Sequence, residues 1–111
     1  MRKLPTALLA TALAAAVAVP ASAATRTVRV GDNWFVRESG SHRVTVDRGD
    51  RVRWRWVGDN PHNVVVRRGP VRFRSAVQRS GSYSKRMRRR GTYRIVCTIH
   101  QPGMRMTLVV N

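Results

Sequence analysis

Apolar and polar residues alternate along most of the chain beyond residue 24. The clearest run is RVRWRWV (51–57), where Val52, Trp54 and Trp56 share one face and Arg51, Arg53 and Arg55 the other. A period of two belongs to a β-strand with one buried and one solvated side. TVRV (27–30) turns Val28 and Val30 inward, and HRVTV (42–46) does the same with Val44 and Val46. HNVVV (62–66), SYSKRM (82–87), TYRIVC (92–97) and MTLVV (106–110) continue the pattern. Turn-forming residues separate these runs at Gly31-Asp32, Ser39-Gly40-Ser41, Arg48-Gly49-Asp50, Gly58-Asp59-Asn60-Pro61, Gly69-Pro70, Ser80-Gly81 and Gly91. No segment sustains a helical period. The pattern predicts an all-β domain, an antiparallel Greek-key sandwich or barrel of about seven or eight strands. Trp54, Trp56 and Met87 belong to its core. The irregular stretch 67–80 reads as a long crossover between two sheets.

The first residues follow a different rule. Arg2 and Lys3 precede an apolar stretch from Leu8 to Val19, Pro20 breaks it, and Ala21-Ser22-Ala23 offers small residues for cleavage. That is the pattern of a secretory signal peptide over 1–23. The apolar run is short for a membrane span, which needs roughly 20 apolar residues. The mature domain is then 24–111, an exported monomer, periplasmic or extracellular, with no span of its own.

Charge and cysteine content narrow the picture. The chain has 22 Lys and Arg against 5 Asp and Glu, and almost all of the basic residues are Arg. Such a surface attracts acidic proteins and polyanions, most strongly at low salt. Some of these arginines need no partner, since charge on strand edges opposes aggregation. Small exported domains often rely on disulfides, but this one holds a single cysteine. A metal is another way to cross-link so small a fold.

The cysteine sits in CTIHQPGM (97–104). Tyr93, Ile95 and Cys97 share a parity, which points Cys97 inward at a strand end. His100 and Met104 follow on the next loop. A thiolate, an imidazole and a thioether are soft donors that suit copper better than magnesium or calcium. A further ligand must come from elsewhere. His62, in the turn GDNPHNV, supplies it, while His42 heads another strand. Two histidines and a cysteine with a weak axial methionine form the type 1, or blue, copper arrangement. The expected ligands of one copper ion are His62, Cys97, His100 and Met104. Met106 shares parity with Leu108 and Val110 and is the rival axial ligand.

With these residues in view, the mature domain resembles the small blue copper proteins, the cupredoxins of the plastocyanin, pseudoazurin and amicyanin type. The resemblance rests on GDRVRW, PHNV, FRS, GSYSKRM, GTYRIVC and the C-x-x-H-x₃-M loop followed by TLVV. It implies a bracing role for Asn63 against the cysteine loop, and electron exit through a partly exposed loop histidine. Here that patch would comprise His100, Gln101, Pro102 and Gly103 with Pro61 nearby, ringed by Arg67, Arg68 and Arg105. The family usually has Gly two residues after the axial Met, where this chain has Met106.

Other readings fit less well. Cys97 alone could be an inert buried thiol, and the same donors could hold zinc. Cys–His nucleophilic catalysis needs an oriented base and substrate access, which an inward-facing strand-end cysteine lacks. A multicopper oxidase or nitrite reductase needs more than three histidines. The chain is therefore expected to carry electrons to an acidic redox partner and not to act as an enzyme. The alternative is a cationic extracytoplasmic binding protein, or one that stores or delivers copper. KRMRRR (85–90) is its strongest local cluster, but Trp54 and Trp56 face away from the arginines. Sequence-specific nucleic-acid binding is therefore not expected.

Overall fold

A computed structural model describes residues 23–36 and 42–111. The signal peptide expected over 1–23 lies, apart from Ala23, outside the described residues, as does the turn at 39–41. The strands are β1 (Thr25–Gly31), β2 (Trp34–Val36), β3 (Arg43–Val46), β4 (Arg51–Trp56), β5 (Val65–Arg68), β6 (Ser82–Arg86), β7 (Gly91–Val96) and β8 (Arg105–Val110). They form two four-stranded sheets, ordered β2-β1-β4-β6 and β3-β8-β7-β5. No described helix is long and apolar enough to cross a membrane.

The alternating residues face one another across the two layers. Val28, Val30, Val52 and Trp54 from the first sheet meet Val44, Tyr93, Ile95 and Leu108 from the second, and all are buried. Trp56 and Met87 are buried with them. The indole N–H of Trp54 finds an acceptor inside this core: it donates to Met106 Sδ at 3.4 Å.

The expected sandwich is present, and its sheets are mixed rather than purely antiparallel. β1 pairs with β4 in parallel, and β3 with β8 in parallel, while the other pairs are antiparallel. The connections explain this. Every one from β2 to β7 passes from one sheet to the other. Strands that return after such an excursion can run in the same direction, which a tight hairpin forbids. Alternation reveals the face of a strand but not its neighbour.

Two local differences bear on the metal centre. Trp34–Val36 forms a short strand not expected from the sequence, paired back on β1. The turn that makes it, Asp32-Asn33, places Asn33 at φ 70, a left-handed conformation that Asn tolerates. The strand expected from residue 62 begins instead at Val65. His62 makes only an isolated bridge to Gln78, within the stretch that crosses between the sheets as expected.

Candidate metal centre

His62 lies on the connection from β4 to β5, where its main chain is fixed from several sides. Its N–H donates to Gln78 O and its carbonyl accepts from Gln78 N, both at 3.0 Å. The same carbonyl accepts from Trp56 Nε1 at 3.2 Å. Cys97 follows the last residue of β7, inward and fully buried. The loop it opens closes on itself. Cys97 N–H donates to Met104 O at 3.0 Å, and Met104 N–H to His100 O at 3.1 Å. Cys97 and Met104 thus stand side by side at the base of the arch, and His100 lies half-buried on it.

These connections bring His62, Cys97 and His100 into one cluster. The two Nδ1 atoms are 3.1 Å apart. Cys97 Sγ lies 3.9 Å from His62 Nδ1 and 3.5 Å from His100 Nδ1. An ion bonded at about 2.0 Å to nitrogen and about 2.3 Å to sulfur, at the centre of a trigonal set, needs donor separations of about 3.5 and 3.7 Å. The observed triangle is within a few tenths of an ångström of that, so the residues fit the metal their chemistry suggests.

Asp32 was not foreseen. Its Oδ1 lies 3.2 Å from His62 Nε2. A carboxylate there holds the imidazole proton on Nε2 and leaves the Nδ1 lone pair facing the cluster. Asp32 is itself held by amide donors, from Asp59 at 3.0 and 3.1 Å and from Asn60 at 2.9 Å. The Asn60 and Asp59 amides, followed by His62, hold its carboxyl below the usual carboxylate range. Close approach requires Gly58, because a Cβ there would sit 2.3 Å from Asp32 Oδ1. The paired GDN stretches at 31–33 and 58–60 are the only sequence trace of this contact, and nothing in them says that they meet.

Asn63, buried beside His62, reaches the residue after the cysteine. Thr98 N–H donates to Asn63 Oδ1 at 2.9 Å, and Asn63 Nδ2 donates to Thr98 Oγ1 at 2.9 Å. Met104 is buried, while the thioether of Met106 is engaged by Trp54. Of the expected surface residues, Arg67, Gln101, Pro102 and Arg105 line one cleft beside the loop, together with His42 and Arg94. Arg67 Nη1 donates to Gln101 Oε1 across it. Pro61 and Arg68 do not line that cleft. Ile99, exposed on the loop, belongs to this end of the molecule and was not anticipated.

The chain belongs to the plastocyanin/azurin family of copper-binding proteins, whose model matches residues 38–111. It is a blue copper protein of cupredoxin fold, and its cofactor is one type 1 copper ion. Among solved structures it is similar to amicyanin from Paracoccus versutus (Thiobacillus versutus), at 28% identity and a TM-score of 0.65, over 84% of this chain and 85% of that one. An oxidised methionine-to-leucine variant of amicyanin is 26% identical with a TM-score of 0.65, over 78% and 81% of the two chains. A copper-containing nitrite reductase from Thermus scotoductus SA-01 shares the fold, at 22% identity and a TM-score of 0.64, with 78% of this chain matching 22% of that one. A comparison with curated proteins gives no match.

Proposed function

We propose that this chain is an exported, single-domain electron carrier that uses a type 1 copper site and transforms no substrate itself. The observation that carries the proposal is the convergence of His62 Nδ1, Cys97 Sγ and His100 Nδ1 on one point at the end of a sandwich. Copper bound there supplies a one-electron couple between Cu(I) and Cu(II).

The chain's own residues account for the rest. Cys97 and His62 are fully buried, so they exclude water and keep the donors in place in both oxidation states. His62 is held by its main chain and, at Nε2, by Asp32. Met104 is our axial ligand: its carbonyl accepts from Cys97 N–H, while the Met106 sulfur already has the Trp54 indole. Asn63 ties the His62 segment to the cysteine loop. His100 is half-buried and provides the electron's way out, beside Pro61, Ile99 and Pro102.

Arg67 and Arg105, which line the cleft beside that loop, favour an acidic redox partner, in an encounter that weakens as salt rises. The signal peptide over 1–23 directs export, and the mature monomer works in the periplasm or outside the cell. Voltammetry of the copper-loaded protein tests the proposal. A reversible one-electron wave supports the carrier. An irreversible wave, with copper lost on reduction, points instead to storage or delivery.

A further inference from the structure

The outer face of the first sheet carries chemistry that the copper site does not use. Arg51, Arg53 and Arg55 project from β4, all exposed. Arg29 of β1 lies in register with Arg55, and Arg86 of β6 with Arg51. The neighbouring outward positions hold hydroxyls: Thr25 and Thr27 stand opposite Arg51 and Arg53 on one side, and Ser84 and Ser82 opposite Arg53 and Arg55 on the other. No acidic residue occupies any of these register positions. None of the five arginines forms a salt bridge with a described residue.

Neither edge protection nor strand pairing accounts for these rows. Arginine on a strand edge blocks edge-to-edge pairing, but β4 is an interior strand with a partner on each side. Like charges directly opposite one another destabilise a sheet, and this face has two such pairs, Arg29 with Arg55 and Arg51 with Arg86. An anion lying along the face removes both penalties.

The spacing says what kind of anion. Alternate residues of a strand recur every 6.8 Å or so, and neighbouring strands lie about 4.8 Å away. The face is thus a row of guanidinium groups flanked by rows of hydroxyls. Guanidinium forks match phosphate oxygens, and hydroxyls donate to them. We propose that the outer face of the first sheet binds a linear phosphate polymer, laid along β4 and recognised by its charge and spacing. A lipid surface fits less well. Trp34 and Val57, both at one end, are the only large exposed apolar residues on the described part of this face, and a twisted sheet offers a row rather than a plane. Base recognition lacks a run of stacking rings, because Trp54 and Trp56 are buried on the opposite side and Trp34 stands alone at one end. His62, Cys97 and His100 sit beyond the strand ends, so a domain held this way keeps its copper end open.

Titration of the full chain with inorganic polyphosphate at several salt concentrations tests the proposal. Affinity should fall with a log–log salt slope of roughly −3, the value for four or five neutralised charges on a single-stranded polyanion. Replacing Arg51, Arg53 and Arg55 together by Gln should weaken binding about ten- to a hundredfold at ~0.15 M salt and reduce the slope by about two. Removing the same number of charges from the second sheet (Arg68→Gln, Arg94→Gln, Arg105→Gln) should change affinity by roughly threefold or less, because screening confines the effect to nearby charges. An unchanged copper absorption band reports that each variant is folded. If the first triple variant lacks that band, Arg53→Gln alone should lower the slope by about 0.7. Equal weakening in the two triple variants would reduce the effect to net charge and overturn the proposal. So would undiminished binding by the first triple variant, or no binding at ~0.15 M salt. Tighter capture by phosphatidylglycerol vesicles at equal phosphate concentration would reassign the face to a membrane.

Discussion

A single proton links Asp32 to the metal centre. By accepting from His62 Nε2, the carboxylate decides which imidazole nitrogen is free. Outer partners of this kind typically change metal affinity 10- to 100-fold. Asp32→Ala should therefore weaken Cu(II) binding by about that factor, read by competition with a chelator of known affinity, with Cys97 still giving its absorption band. An unaltered affinity would make Asp32 a turn residue and nothing more. The two methionines separate cleanly. Met104→Leu should shift the reduction potential and the copper spectrum while the fold survives. Met106→Leu should leave the spectrum alone and cost about 1–3 kcal/mol in urea unfolding, because the buried Trp54 N–H loses its acceptor. The opposite pattern would make Met106 the axial ligand. The sequence made the cluster of His62, Cys97 and His100 legible because soft donors are rare and their spacing is specific. Asp32 was not legible: an aspartate in a turn is ordinary, and its partner lies far along the chain.

At the level of the strands, alternation identified nearly every element and its buried face, since a period of two is written directly in the side chains. It missed β2, which is too short for a period to develop. It could not show the parallel pairs, because those follow from where the connections cross. One carboxylate secures such a crossing. Asp50, buried in the turn between β3 and β4, accepts from Ala24 N–H and Asp47 N–H, both at 2.9 Å. The Asp47 amide, then the Ala24 amide, pull its carboxyl below the ordinary range. A lowered folded-state value means that this stability is complete above the unfolded carboxylate's range and is lost as pH falls through the folded value. Asp50→Asn should cost about 1 kcal/mol near neutral pH, and the difference from the unaltered protein should shrink as pH falls below the ordinary carboxylate range and vanish only below the lowered folded-state value. Urea unfolding across that range measures it. A gap that persists into acid would place the effect in packing instead of charge.

Over the whole molecule, one sandwich presents two different surfaces. One end gathers the soft donors, a half-buried His100 and the exposed Ile99 and Pro102. The side of the first sheet presents arginines in rows. Composition alone revealed the excess of positive charge but not its placement, because the register of β1, β4 and β6 decides which arginines become neighbours. A carrier gains from such charge, since it speeds encounter without requiring a large buried interface. All of this depends on whether His62, Cys97 and His100 hold copper through the thiolate. The optical absorption spectrum after addition of Cu(II) tests that most directly. An intense blue band that disappears in Cys97→Ser is the expected result. A pale spectrum without that band, or one that Cys97→Ser leaves unchanged, would contradict the proposed copper centre.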